Sequence, residues 1–123
     1  MTTKVGTKAA SVPPTGLTHK QEVELVREAY ENFPEASMCL RCVKWNYKTF
    51  EFRFIDDEDG GALKIVNLDC ALRGLRLFVA AVRAGKLPGL GLPADFLNDT
   101  CDWDASAFDA LNQMAVFGDV IYG

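Results

Sequence analysis

Cys39-Leu40-Arg41-Cys42 forms a C-x-x-C pair, the spacing used by zinc ribbons and by dithiol redox sites. A structural zinc takes four ligands, and a ribbon supplies them as two such pairs. Here only Cys70 and Cys101 remain to complete a set, and both stand far off in the chain. A redox pair places its first cysteine at a helix start, where the thiolate is stabilised. This pair falls instead in a stretch that reads as strand, where residues three apart point to opposite faces. Packed, free thiols are therefore expected, with no metal and no cofactor.

Nucleophilic catalysis by cysteine or serine needs a neighbouring base. The one histidine, His19, sits beside a low-complexity N-terminal stretch with no evident partner. The acidic run Asp56-Asp57-Glu58-Asp59 before Gly60-Gly61 has the charge for Ca²⁺ but not the EF-hand alternation, and reads as a solvated hairpin tip. Asp102 and Asp104 flank Trp103, and a carboxyl against an indole can titrate high enough for acid–base work. The simpler account makes Asp104 a helix N-cap. Gly89-Leu90-Gly91 lacks the third glycine of a phosphate loop and follows no strand. Arg73, Arg76 and Arg83 share one side of a helical pattern, and their forks suit phosphates or carboxylates. The competing account is a solvated stripe, or one paired with carboxylates of the C-terminal segment.

These residues must be positioned by elements that the patterning makes legible. Residues 1–16, rich in Thr, Lys, Ala and Pro, read as a flexible arm, and residues 17–123 as one domain. Thr18 and Gln21 make a capping box, and Val23, Val26, Tyr30 and Phe33 recur at helical spacing, so the first helix covers 19–33 and stops at Pro34. Strands follow at 38–45, 49–55 and 62–66. The second is the clearest, with Phe50, Phe52 and Phe54 on one face and Thr49, Glu51 and Arg53 on the other. Short links make the three an antiparallel meander. A second helix spans 68–84, with Leu68, Ala71, Leu72, Leu75, Phe78, Val79 and Val82 in an arc of about 120°. A short helical turn is expected over 93–98. The third helix spans 105–117, capped by Asp104, with Trp103 and Phe108 at staple spacing. Residues 120–122 form a terminal strand or a cover for the core. The fold class is therefore α+β, a three-stranded antiparallel sheet with helices on its phenylalanine face, in the order α-β-β-β-α-α. In element order alone this resembles the double-stranded-RNA-binding domains. Their basic helix start is missing here, where the second helix opens Leu68-Asp69-Cys70-Ala71-Leu72.

Length and composition are those of one ordinary domain: 123 residues, 49% apolar and 24% charged. No apolar run is long enough to cross a bilayer, and the N-terminus has no secretory core, so a cytoplasmic location with no membrane contact is expected. The net charge of −4 disfavours nucleic acid as a partner. Charge is also segregated: residues 62–86 carry five basic side chains and one acid, and residues 87–123 six aspartates and no Lys or Arg.

With no catalytic set above background, the expectation is a non-catalytic binding or regulatory module. It would act through a protein partner or through self-association as a homodimer. The surface expected to serve joins Arg73, Arg76 and Arg83 to Asp102, Trp103 and Asp109, with Trp103 as anchor if exposed. Two alternatives use other chemistry. One is an inhibitor whose C-terminal aspartates mimic nucleic-acid charge. The other is a small-molecule binder or unusual enzyme with a pocket between the last helix and the sheet.

Overall fold

The computed structural model describes residues 14–32 and 39–122. The arm over 1–13, the Phe33-Pro34 helix stop and the strand start at Met38 lie outside the described residues. Three helices, α1 (His19–Asn32), α2 (Leu68–Arg83) and α3 (Ala105–Phe117), accompany strands β1 (Leu40–Asn46), β2 (Glu51–Asp56) and β3 (Ala62–Asn67). The order is α-β-β-β-α-α, and the sheet is antiparallel in the order β1-β2-β3. The α+β fold class read from the sequence is the one observed.

Local chemistry sets the boundaries. At α1 the capping box closes both ways: Gln21 N donates to Thr18 Oγ1 (3.2 Å) and Thr18 N to Gln21 Oε1 (2.9 Å). Asn67 Oδ1 caps α2 by accepting from Cys70 N, and Asp104 Oδ1 caps α3 by accepting from Ala107 N (2.9 Å). Gly118, with φ of 82°, ends α3 in the left-handed conformation that glycine adopts without strain. Over 93–98 the expected helical turn is made of turns without a helix, in which Phe96 N donates to Pro93 O (3.2 Å) and Asn98 N to Asp95 O (3.0 Å), and a 3₁₀ turn lies earlier, at Pro88–Leu90.

The chain from Thr15 onward is docked rather than free. Thr15 is buried; its hydroxyl donates to Glu22 Oε2 (2.7 Å), and its carbonyl accepts from Arg83 Nη1 (2.9 Å).

Strand β2 supplies the centre of the core. Phe52 and Phe54 are buried, and Phe50 joins them although it lies in the hairpin turn with φ of 53°. A left-handed non-glycine backbone costs roughly 1–2 kcal/mol, and full burial of a phenylalanine ring contributes about 1.5–3 kcal/mol, so burial of the Phe50 ring offsets the strain. Tyr30 of α1 meets Phe50, Phe52 and Phe108 with ring centroids 4.9–5.3 Å apart, and its hydroxyl donates to buried Asn112 (2.6 Å). The space between α3 and the sheet is thus filled by interlocked rings. Helices α2 and α3 meet tightly at Gly74, where an added Cβ would lie 2.7 Å from the Ala115 backbone.

Residues 120–122 do not extend the sheet. Buried Gln113 holds them: its Oε1 accepts from Ile121 N (2.9 Å) and Tyr122 N (2.8 Å), and its Nε2 donates to Tyr122 O (3.0 Å). The Tyr122 hydroxyl then reaches both oxygens of buried Asp56 (3.1 and 2.9 Å). Burial, then the hydrogen bond and charge of Asp56, push the Tyr122 phenol up to about 12. Asp56, the one buried carboxylate on the sheet, therefore ties the C-terminal segment to β2 and also caps the 3₁₀ turn that follows it.

Candidate functional site

The arginine stripe does not converge on a site. Arg76 pairs with buried Glu22 of α1 (2.8 Å), Arg83 donates to the Thr15 carbonyl, and Arg73 to the Ala115 carbonyl (3.4 Å). Each reaches a different segment, and none of these bonds involves the C-terminal aspartates. Glu22 shows the balance in such a pair. Burial alone would raise its carboxyl, but the hydrogen bonds and charge of Arg76 and the Thr15 hydroxyl outweigh it and leave the group below its ordinary range.

Trp103, the expected anchor, is only 5% exposed. Its indole packs on Phe78 (5.3 Å) and donates to the Phe96 carbonyl (2.9 Å), so it is a core side chain and is closed to a partner. Phe96, from the connector before it, packs on the same Phe78 ring of α2 (6.2 Å). Asp102 is exposed, and half-buried Asp109 accepts from Gln113 Nε2 (2.9 Å). Asp99 accepts from Cys101 N and Asp119 from Val120 N, so these carboxylates serve local turns.

Cys39, Cys42 and Cys70 are half-buried, Cys101 is exposed, and all four are free thiols. Burial and the nearby carboxylates of Asp109, Glu58 and Asp56 raise Cys39. A hydrogen bond to Asp99 and its charge raise Cys101. Raised thiols stay protonated at neutral pH and are poor nucleophiles. Among the described residues, no group of three or more His, Cys, Asp and Glu side chains could hold a metal ion. His19 stands exposed in the first turn of α1.

The surface that stands out was not read from the sequence: it is the sheet face opposite the helices. Alternation from inward Phe52, Phe54 and Val66 turns Glu51, Arg53 and Ile55 of β2, and Leu63 and Ile65 of β3, to that side. Leu63 is 51% and Ile65 49% exposed. On β1, Val43 forms a bulge, and Arg41 and Lys44 stand opposite Ile55 and Arg53. At this end lies a depression of about 200 Å³ lined by Lys44, Trp45, Asn46, Thr49, Glu51 and Arg53. Arg53 Nε donates to Glu51 (2.8 Å), and Lys44 has no ion-pair partner among the described residues. The signal for this face was present in the Glu51/Arg53 alternation and in Leu63 and Ile65. With the helices on the phenylalanine face, as the pattern predicts, what the sequence did not show is that Leu63 and Ile65 on the opposite face stay uncovered.

A second groove, about 350 Å³, runs between α1 and residues 97–99, with Leu17, Leu25 and Leu97 among Gln21, Glu24, Glu28 and Asp99. Glu28 Oε1 is already engaged by the Thr100 amide (2.8 Å) and hydroxyl (2.6 Å). No helix among the described residues is long and apolar enough to cross a membrane. The chain matches no protein-family model, no curated protein and no solved structure.

Proposed function

We propose that the protein is a non-catalytic binding module that acts through a protein partner, and that the partner docks on the uncovered face of the sheet. The observation that carries this reading is the exposure of Leu63 and Ile65, beside half-buried Ile55, on a face that none of the three helices covers. Contiguous exposed apolar surface rimmed by charge marks interaction sites in soluble proteins. The raised thiols of Cys39 and Cys101 and the exposed position of His19 support a non-catalytic role. The filled space between α3 and the sheet weighs against a ligand pocket there. This reading moves the interface away from the arginine stripe, whose side chains are spent on intramolecular contacts.

The test is capture from cells of the source by the tagged full chain and by its Leu63→Asp/Ile65→Asp variant, with thermal melts to show that both fold. A stoichiometric partner held by the wild type and lost by the variant supports the reading. A partner that ignores this variant but is lost on Arg73→Glu/Arg83→Glu would return the interface to the helix side.

A further inference from the structure

Resting on that reading of the sheet face, we infer the chemistry of its occupant: an acidic amphipathic segment of a partner protein. One carboxylate would sit between Lys44 and Arg53, and apolar side chains would lie along Ile55, Leu63 and Ile65.

Three observations lead there. Lys44 and Arg53 are direct cross-strand partners, and like charges opposed across a ladder are destabilising. Glu51 engages Arg53 through its Nε, but nothing among the described residues pairs with Lys44. A carboxylate between the two cations would relieve that repulsion and gain charge-assisted hydrogen bonds. The depression holding them is also pre-shaped. Asn46 Oδ1 accepts from Lys48 N (3.0 Å) and Thr49 N (3.2 Å), Arg27 donates to the Tyr47 carbonyl (3.0 Å) and lies over the Phe50 ring (5.5 Å). A turn braced from both sides loses little freedom when a ligand arrives. Finally, the face is two-sided in character, with Lys44 and Arg53 towards β1, where Arg41 is already held by Asp57 (3.0 and 3.2 Å), and Leu63 and Ile65 on β3. An amphipathic segment with an acidic edge complements both halves.

Other occupants fit less well. A nucleic-acid strand needs cations at successive phosphates, whereas this face offers Lys44 and Arg53 at the depression and then turns apolar at Leu63 and Ile65. A second copy stacked about a two-fold axis would set the β1 cations against their own counterparts, or desolvate them against leucine and isoleucine.

The experiment is selection of a random peptide library on the immobilised full chain at low ionic strength. An enriched peptide, made synthetically, is then titrated into isotope-labelled protein while amide shifts are followed. Enriched peptides should combine Asp or Glu with large apolar residues, and should shift the amides of residues 44, 53 and 63–65. Lys44→Glu should weaken binding about tenfold or more, the scale of a lost interfacial charge pair. Ile65→Asp should weaken it likewise, whereas Arg73→Glu on the helix side should leave it unchanged. Neutral or basic peptides that are still lost on Ile65→Asp would overturn the acidic chemistry while leaving the docking face. Peptides indifferent to both Lys44→Glu and Ile65→Asp, or no enriched peptide at all, would overturn the docking face as well. A single-stranded oligothymidylate that binds the wild type and fails on Lys44→Glu would overturn the proposal in favour of nucleic acid.

Discussion

The two faces of the sheet obey the same alternation and meet different fates. On the helix side, Leu40, Phe50, Phe52, Phe54 and Val66 are at most 1% exposed, and Asp56 and the Tyr30 hydroxyl beside them are hydrogen-bonded. On the other side, Leu63 and Ile65 stay half exposed and two cations face one another across the ladder. The difference separates stability from availability. Residues on the first face are committed to holding the fold, and changing them should unfold it. Residues on the second stay half exposed, and changing them should cost the fold little.

The strongest test of that division is Phe52→Ala. The Phe52 ring lies 5.0–5.4 Å from those of Tyr30, Tyr47 and Phe50, so its removal should destabilise the fold by about 3–5 kcal/mol. Urea unfolding measures this, and a loss below about 1 kcal/mol would break the comparison, since exposed sites give losses of that order. Gly74→Ala should come next, at about 1–3 kcal/mol. Helix propensity favours alanine by up to about 1 kcal/mol, but the obstruction 2.7 Å away is the Ala115 backbone, which cannot rotate aside. A raised melting temperature would mean that α2 and α3 can part without cost.

A smaller effect should appear in the pH dependence of the Glu22–Arg76 pair. The folded Glu22 carboxyl lies below its ordinary value of 4.5, so its contribution is fully present above that pH and is lost as pH falls through the folded value. Glu22→Gln should therefore flatten the acid limb of melting temperature against pH. An unchanged limb would show that the pair does not couple α1 to α2. The smallest effect belongs to the open face: Ile65→Thr should shift stability by no more than about 0.5 kcal/mol, as exposed substitutions do. A larger loss would mean that Ile65 supports the fold and is not held in reserve.

Much of the architecture was legible because it is local. The Thr18/Gln21 box, the Asp104 cap and the alternation of Phe52 and Phe54 each lie within a few residues, and each appears where the pattern placed it. The alternation places Phe50 in the strand, yet it lies in the turn with a left-handed backbone and still buries its ring. Local alternation sees the side chain's destination but not the bend that delivers it. The candidate site was the less legible part. Spacing makes Trp103 a helix staple or, if exposed, an anchor, and its packing on Phe78 and its bond to the Phe96 carbonyl decide for the core.

By itself the sequence determined the elements, their caps and the phenylalanine face, since hydrogen bonds within one helical turn and the two-residue period of a strand need no distant partner. Tertiary structure alone decided that the arginines would spend their forks on Glu22, Thr15 and Ala115. It alone also decided that no described element would cover Leu63, Ile65 and Lys44 on the face opposite the helices. Those outcomes rest on contacts between residues tens of positions apart, which depend on how whole elements pack and which no local period encodes.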